Sequence, residues 1–204
     1  MNYERAIAHL KKSDSTLANL IDQVGPCRLG QIQPEGDLLF VLSRTIIHQQ
    51  LSIKAAASIH GRFLQLYPDK TEPSAQDILN TSEDLLRGAG ISRPKINYLK
   101  DLAQKVSDGL PTLDQLSLMD DESIRQVLTQ VKGIGRWSVQ MLLIFRLHRL
   151  DIIPTEDLGM RNAIQKLYGL EQLPDKSTLE GFGKKWSPFC SIAAWYLWRS
   201  LDMN

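Results

Sequence analysis

Apolar residues return at three- and four-residue spacing along nearly the whole chain, and the alternating pattern of a half-buried strand is scarce. That periodicity predicts an all-α protein of roughly nine to eleven helices. Residues able to accept from free backbone amides mark the helix starts. Asp37 opens "GDLLFVLSRTIIHQQ", Ser52 opens "IKAAASIHGRFLQLY", Ser74 and Ser82 open shorter helices, and Asp120 or Asp121 opens "ESIRQVLTQV". Further helices are expected over residues 3–11 and 14–24, from Pro94, through "RWSVQMLLIFRL", from Asp157 to Gly169, and after Pro188.

Composition narrows the class. The longest apolar runs, "LLFVL" and "MLLIF", are far too short to span a bilayer, and the opening "MNYERAIAHLKK" has no secretory apolar core. Two cysteines, Cys27 and Cys190, cannot build a four-cysteine zinc or iron–sulfur site and suit a reducing compartment, with the cytoplasm as the expectation. With 24 basic and 23 acidic residues the net charge is +1. Such a balance argues against a long polybasic arm while leaving a local basic patch open. No His, Cys and Asp cluster has metal-ligand spacing, and no internal repeat or linker is visible.

The most informative stretch is "VKGIGRWSVQ", residues 131–140. Gly133, Ile134 and Gly135 must turn the chain between a helix ending at Val131 and another starting near Arg136. So tight a corner needs positive φ or a crowded backbone, which glycine tolerates. Ile134 can point inward and pin the corner to the core. The next helix then begins with open amides beside Lys132 and Arg136, a suitable seat for a phosphate oxygen. Carbonyls of Thr129, Val131 and Ile134 could hold a monovalent Na+ or K+ that bridges to that phosphate. Taken alone, the corner is equally consistent with a bundle turn in which glycine serves geometry only.

The surroundings are more specific. "LTQVKGIGRWSVQMLLIF" resembles the helix–hairpin–helix motif of the DNA glycosylase superfamily, and "DIIPTEDLGMRNAI" beyond it is similar to the family's proline-containing loop and catalytic aspartate, with Asp157 in the aspartate's place. "RTIIHQQLSIKAAASIHGRF" (44–63) is similar to the segment that fills the gap left by a flipped nucleotide. "WSPFCSIAAWYLW" (186–198) is similar to the C-terminal helix that lines the base pocket. These four ordered blocks make the likeness span about residues 36 to 200, and it is greatest to the alkylation-repair, 3-methyladenine branch. The resemblance implies two helical lobes with a DNA- and base-binding cleft between them. It implies one glycosylase unit over 1–204, with a wedge-bearing lobe near 36–110, a hairpin and catalytic segment at 111–204, and the terminal helices completing the lobes. The compact length suggests a form without the β-rich N-terminal domain of longer bacterial relatives.

The resemblance also implies an activity. Bifunctional members carry a lysine just after the hairpin, where Trp137 stands here, so the chemistry should stop at base removal. The expected enzyme is a monofunctional glycosylase that excises cationic purines such as 3-methyladenine and 7-methylguanine from double-stranded DNA. It would work as a monomer, away from membranes, in a nucleoid or nucleus, without an iron–sulfur cluster or other cofactor. Asp157 would stabilise positive charge on the sugar and direct the attacking water, although an aspartate before "LGMRNAI" is also a good N-cap; Glu156 is expected to face solvent. Trp137 and Trp198 hold base-pocket positions, where indole faces suit a cationic base, and Phe40 could add an edge. Gln49, Gln50, Leu51 and Ser52 form the wedge turn. Gln50 aligns with the intercalating position, and Leu51 is either its apolar alternative or buried core. Lys132, Gly133, Ile134, Gly135 and Arg136 would grip the strand, and Lys95 is expected to reach the DNA backbone. Two alternatives stand beside this reading: a glycosylase for oxidised or deaminated bases, and a non-catalytic DNA-binding module.

Overall fold

The computed structural model describes residues 3–32 and 35–203, and these contain α-helices, one 3-10 turn and no β-strand. The chain forms two compact units, one made of the segments up to 33 and from 140 onward, the other of residues 34–139.

In the first unit α1 (Glu4–Ser13) and α2 (Ser15–Val24) pack on each other, and α2 and α11 (Leu158–Tyr168) both pack on α13 (Cys190–Ser200). Helix α13 is the centre: Cys190 through Leu197 are all buried, so the helix is enclosed on every side rather than along one stripe. Helix α12 (Lys176–Trp186) rests against α1 and α13. A buried carboxylate joins these elements. Asp14 caps α2 through Leu17 N at 3.0 Å and accepts from Tyr168 Oη at 2.8 Å and Trp186 Nε1 at 3.1 Å. Burial, with Asp14 second, drives the Tyr168 phenol pKa upward, which keeps it a donor.

The second unit is organised around α7 (Arg93–Ser107), against which α3 (Leu38–His48), α5 (Ala75–Asn80) and α6 (Glu83–Gly88) pack; α4 (Ile53–Gln65) packs on α3. Ile96, Leu99 and Leu102 of α7 meet the same core as Leu42 and Ile46 of α3. The expected caps are in place: Asp37, Ser52, Ser74, Ser82 and Asp120 each accept from a backbone amide three residues on. The short α8 (Leu113–Ser117) and α9 (Asp121–Leu128) follow, and α10 (Arg136–Phe145) begins in this unit and ends in the first. This unit runs to residue 139, and within it Lys132 and Gly133 are held by α7.

Candidate active site and candidate DNA-facing turns

Asp157 stands at the N-cap of α11, with its Oδ1 accepting from Met160 N at 2.6 Å. The same oxygen accepts the indole N–H of Trp198 at 2.8 Å. Two donors on one oxygen fix the plane of the carboxylate. Gly159 permits this geometry, since a Cβ there would lie 3.1 Å from Asp157 Oδ1 and 3.5 Å from Trp198 Cδ1. Asp157 is half-buried and the neighbouring Glu156 is exposed, as the sequence suggests.

The loop that delivers Asp157 is stapled to the start of α13. Asp151 accepts from Ser187 Oγ at 2.7 Å and Cys190 N at 3.3 Å, and Ile152 N donates to Ser191 Oγ at 3.0 Å. The Ile153 carbonyl takes both Thr155 N at 3.0 Å and Gln140 Nε2 at 3.1 Å. Helix α13 therefore sets the loop at one end and, through Trp198, the carboxylate at the other. Nothing in the sequence marks Asp151, Ser191 or Gly159, because ordinary loop and helix residues supply these contacts.

Trp198 also lines a cavity of about 510 Å³ with Phe145, Trp195, Ile32, Arg28 and Arg199. The Trp198 ring lies 5.4 Å from that of Phe145 at an interplanar angle of 31°. Trp195 already has a cation on its face, the Arg199 guanidinium 5.9 Å from the ring centroid, and Arg199 itself pairs with Asp202 at 3.2 Å. Trp186 is buried on Asp14, and Tyr196 donates to the Gly25 carbonyl at 2.9 Å, so both belong to the core. Arg161 donates to the Pro174 carbonyl at 2.8 Å.

In the second unit the turn from α3 to α4 carries Gln49, Gln50, Leu51 and Ser52. Gln50 is exposed at φ 57°, a left-handed conformation that costs a residue with a Cβ roughly 1–2 kcal/mol. Such strain at an exposed tip is characteristic of contact sites. Leu51 is 38% exposed and Ile53 is 89% exposed, so Leu51 is not core, and Ile53 adds an apolar side chain that its sequence context does not single out. Ser52 caps α4 through Ala55 N at 3.3 Å. Gln49 Nε2 donates to the Gly133 carbonyl at 2.7 Å, which joins this turn to the hairpin.

The hairpin has Gly133 at φ 81°, Ile134 N donating to the Val131 carbonyl at 3.0 Å, and Ile134 buried in the core. A Cβ on Gly133 would lie 2.3 Å from the Tyr98 ring, whereas one on Gly135 would meet nothing within 4 Å. Gly135, Arg136 and Lys132 are exposed, and Trp137 is 40% exposed on the first turn of α10. Lys132 is engaged by α7: its amide donates to Asp101 Oδ2 at 2.8 Å and its ammonium lies 3.6 Å from Oδ1. Lys95 does not point outward; it donates to the carbonyls of Ile47 and Gln49, each at 2.7 Å. Phe40 is half-buried, 5.5 Å edge-on to His60 and against the backbone of Gly36. His60 in turn lies 5.9 Å from His48, and neither Nε2 has a hydrogen-bond partner. Among the described residues no group of three or more His, Cys, Asp or Glu could hold a metal ion.

Residues 43–188 match the model of the HhH-GPD superfamily base excision DNA repair protein. DNA-3-methyladenine glycosylase 1 of Schizosaccharomyces pombe is 35% identical over 96% of this chain and 86% of its own length. The alkylbase DNA glycosidase-like protein mag2 of the same yeast is 32% identical over 97% and 93%. Among solved structures, the S. pombe 3-methyladenine DNA glycosylase in complex with abasic DNA superposes with a TM-score of 0.87 over 97% of both chains at 35% identity. A DNA-3-methyladenine glycosidase from Bacillus halodurans superposes at 0.85 over 98% of this chain and 91% of its own, at 30% identity.

Proposed function

The chain belongs to the HhH-GPD superfamily of base excision DNA repair proteins, and we propose that Asp157 is the carboxylate with which it breaks the N-glycosidic bond of alkylated purines in duplex DNA. It is a DNA-3-methyladenine glycosylase-type hydrolase of base excision repair, acting on damaged double-stranded DNA. The observation that carries the role of Asp157 is its clamped carboxylate: Met160 N and Trp198 Nε1 converge on one oxygen, beside the ring that forms a wall of the aromatic cavity.

An alkylated purine already bears positive charge and leaves as a neutral base, so the enzyme need not protonate it. What must be stabilised is the cationic sugar that appears as the C1′–N bond lengthens, and a fixed anion does this without reorganising. Water then adds its hydroxyl to C1′, and Asp157 orients it and receives the proton. Trp198 in the first unit, and Trp137 and Phe40 in the second, are the aromatic side chains assigned to the cationic base, whose charge suits an aromatic face. Extraction costs a few kcal/mol of stacking and pairing, which Gln50 and Leu51 offset by filling the gap. Gly135 and Arg136 offer open amides and a cation to the strand, with Lys132, Gly133 and Ile134 completing the grip. The carbonyls of Thr129, Val131 and Ile134, a donor set of neutral oxygens only, suit a monovalent rather than a divalent cation, and the bound ion would add positive charge beside that phosphate. No amine follows the hairpin at Trp137 and Lys132 is held by Asp101, so the reaction ends at an abasic site without strand cleavage. The protein works as a monomer wherever the cell keeps its DNA.

Release assays on defined duplexes test the substrate class. Oligonucleotides carrying 7-methylguanine, 3-methyladenine, hypoxanthine or 8-oxoguanine are incubated with the protein, and free base is quantified with and without borohydride. The expected result is release of the methylated purines and no trapped covalent adduct. Release of only the oxidised or deaminated bases, or an adduct with DNA, would overturn the assignment.

A further inference from the structure

Helix α7 presents Lys95, Tyr98 and Asp101 at three-residue intervals, which places them along one face. Each of the three touches a turn that meets DNA in the proposed function. Lys95 Nζ bridges the carbonyls of Ile47 and Gln49 at 2.7 Å each, where α3 ends and its last carbonyls have no partner within the helix. The Tyr98 ring fills the space that a side chain on Gly133 would need. Asp101 Oδ2 takes the amide of Lys132 at 2.8 Å. The two turns are also tied to each other, because Gln49 donates its side-chain amide to the Gly133 carbonyl at 2.7 Å.

We propose that this face of α7 is a positioning device that holds the 49–52 turn and the 132–136 hairpin in fixed register, so that the wedge meets the duplex where the hairpin grips its backbone. The proposal rests on the glycosylase reading of the two turns. It makes Lys95 and Gln49 positioning residues rather than DNA contacts and leaves Gln50 and Leu51 as the side chains that enter the duplex. A wedge must push into stacked bases, and a turn ordered before binding avoids the entropy of ordering it during binding. Gln50 at φ 57° is the part of the turn that most needs such support, since nothing about its residue type favours that conformation. Lys95 can supply that support because its ammonium donates to both carbonyls at once and is half-buried, with burial lowering its pKa.

The test compares Lys95→Met, Lys95→Arg and Gln49→Ala with the parent protein for binding to two duplexes, one undamaged and one with a tetrahydrofuran abasic analogue beside 2-aminopurine. Lys95→Met should lower the preference for the abasic duplex about tenfold and remove the 2-aminopurine signal of gap filling, while affinity for undamaged DNA stays near the parent value. Lys95→Arg, which can still donate to both carbonyls, should recover most of the preference. Gln49→Ala should move in the same direction as Lys95→Met, and it carries the test alone if that variant does not fold. An unchanged preference and signal in these variants would overturn the proposal. An equal loss on both duplexes in Lys95→Met would also overturn it, by making Lys95 a phosphate contact. Failure of the underlying reading is distinguishable, because the parent protein would then show no preference for the abasic duplex at all.

Discussion

A histidine pair beside the 49–52 turn gives a residue-scale prediction. Burial, then His48 and Arg44, depress the His60 pKa to about 4, and burial also lowers that of His48. Between an unfolded value near 6.5 and a folded value near 4, the unfolded chain binds more protons than the native one, so stability rises with pH across that window. The melting temperature should therefore fall from pH 6.5 towards pH 4, and His60→Leu, which removes the more strongly depressed imidazole of the pair, should make the fall shallower. Thermal melts at half-unit steps check this; an unchanged slope in the variant would contradict it. At the same scale, Asp157 is legible in the sequence as an N-cap, a role the structure keeps. The second donor on its carboxylate is not, because a tryptophan far along the chain carries no mark of where its indole N–H points. Lys95 shows the converse: a lysine near a helix start suggests an outward reach, yet here it folds back to satisfy carbonyls at the end of α3.

At the scale of elements, helices with a broad apolar stripe and a capping residue, such as α3, α4 and α11, are plain in the sequence. Helix α12 is not, because "KSTLEGFGKKW" carries two glycines and a thin apolar face. Gly183 there lets the helix approach the Ile153 side chain, where a Cβ would come within 2.9 Å. Helix α8 lacks length, although its Thr112–Gln115 capping box is visible in principle. The hairpin can be read as a corner, but the different duties of its glycines cannot. Gly133 has positive φ and the Tyr98 ring against it, so Gly133→Ala should cost about 2–4 kcal/mol of stability. Gly135 has open space and no left-handed φ, so Gly135→Ala should change stability by less than about 1 kcal/mol and weaken DNA binding by crowding the strand. Denaturant melts and duplex titrations of the two variants separate these duties. Equal destabilisation by both would contradict the assignment.

Over the whole molecule, the sequence conveys the helical class and the order of the functional blocks, while the boundary between units depends on tertiary contacts. Asp101 and Tyr98 draw the hairpin onto α7, and Asp14 joins α2, α11 and α12 through a buried carboxylate; no local pattern announces either. In the proposed function the two units have different duties: the second carries the 49–52 turn and the hairpin assigned to DNA, and the first holds the clamped carboxylate and aromatic cavity. Binding and chemistry should therefore be separable by one substitution. The most direct test is single-turnover release of 7-methylguanine from a duplex by Asp157→Asn, measured alongside its affinity for an abasic-analogue duplex. The expected outcome is release slowed by about a hundredfold or more, with affinity within a few-fold of the parent protein. Release at the parent rate would contradict the role given to Asp157.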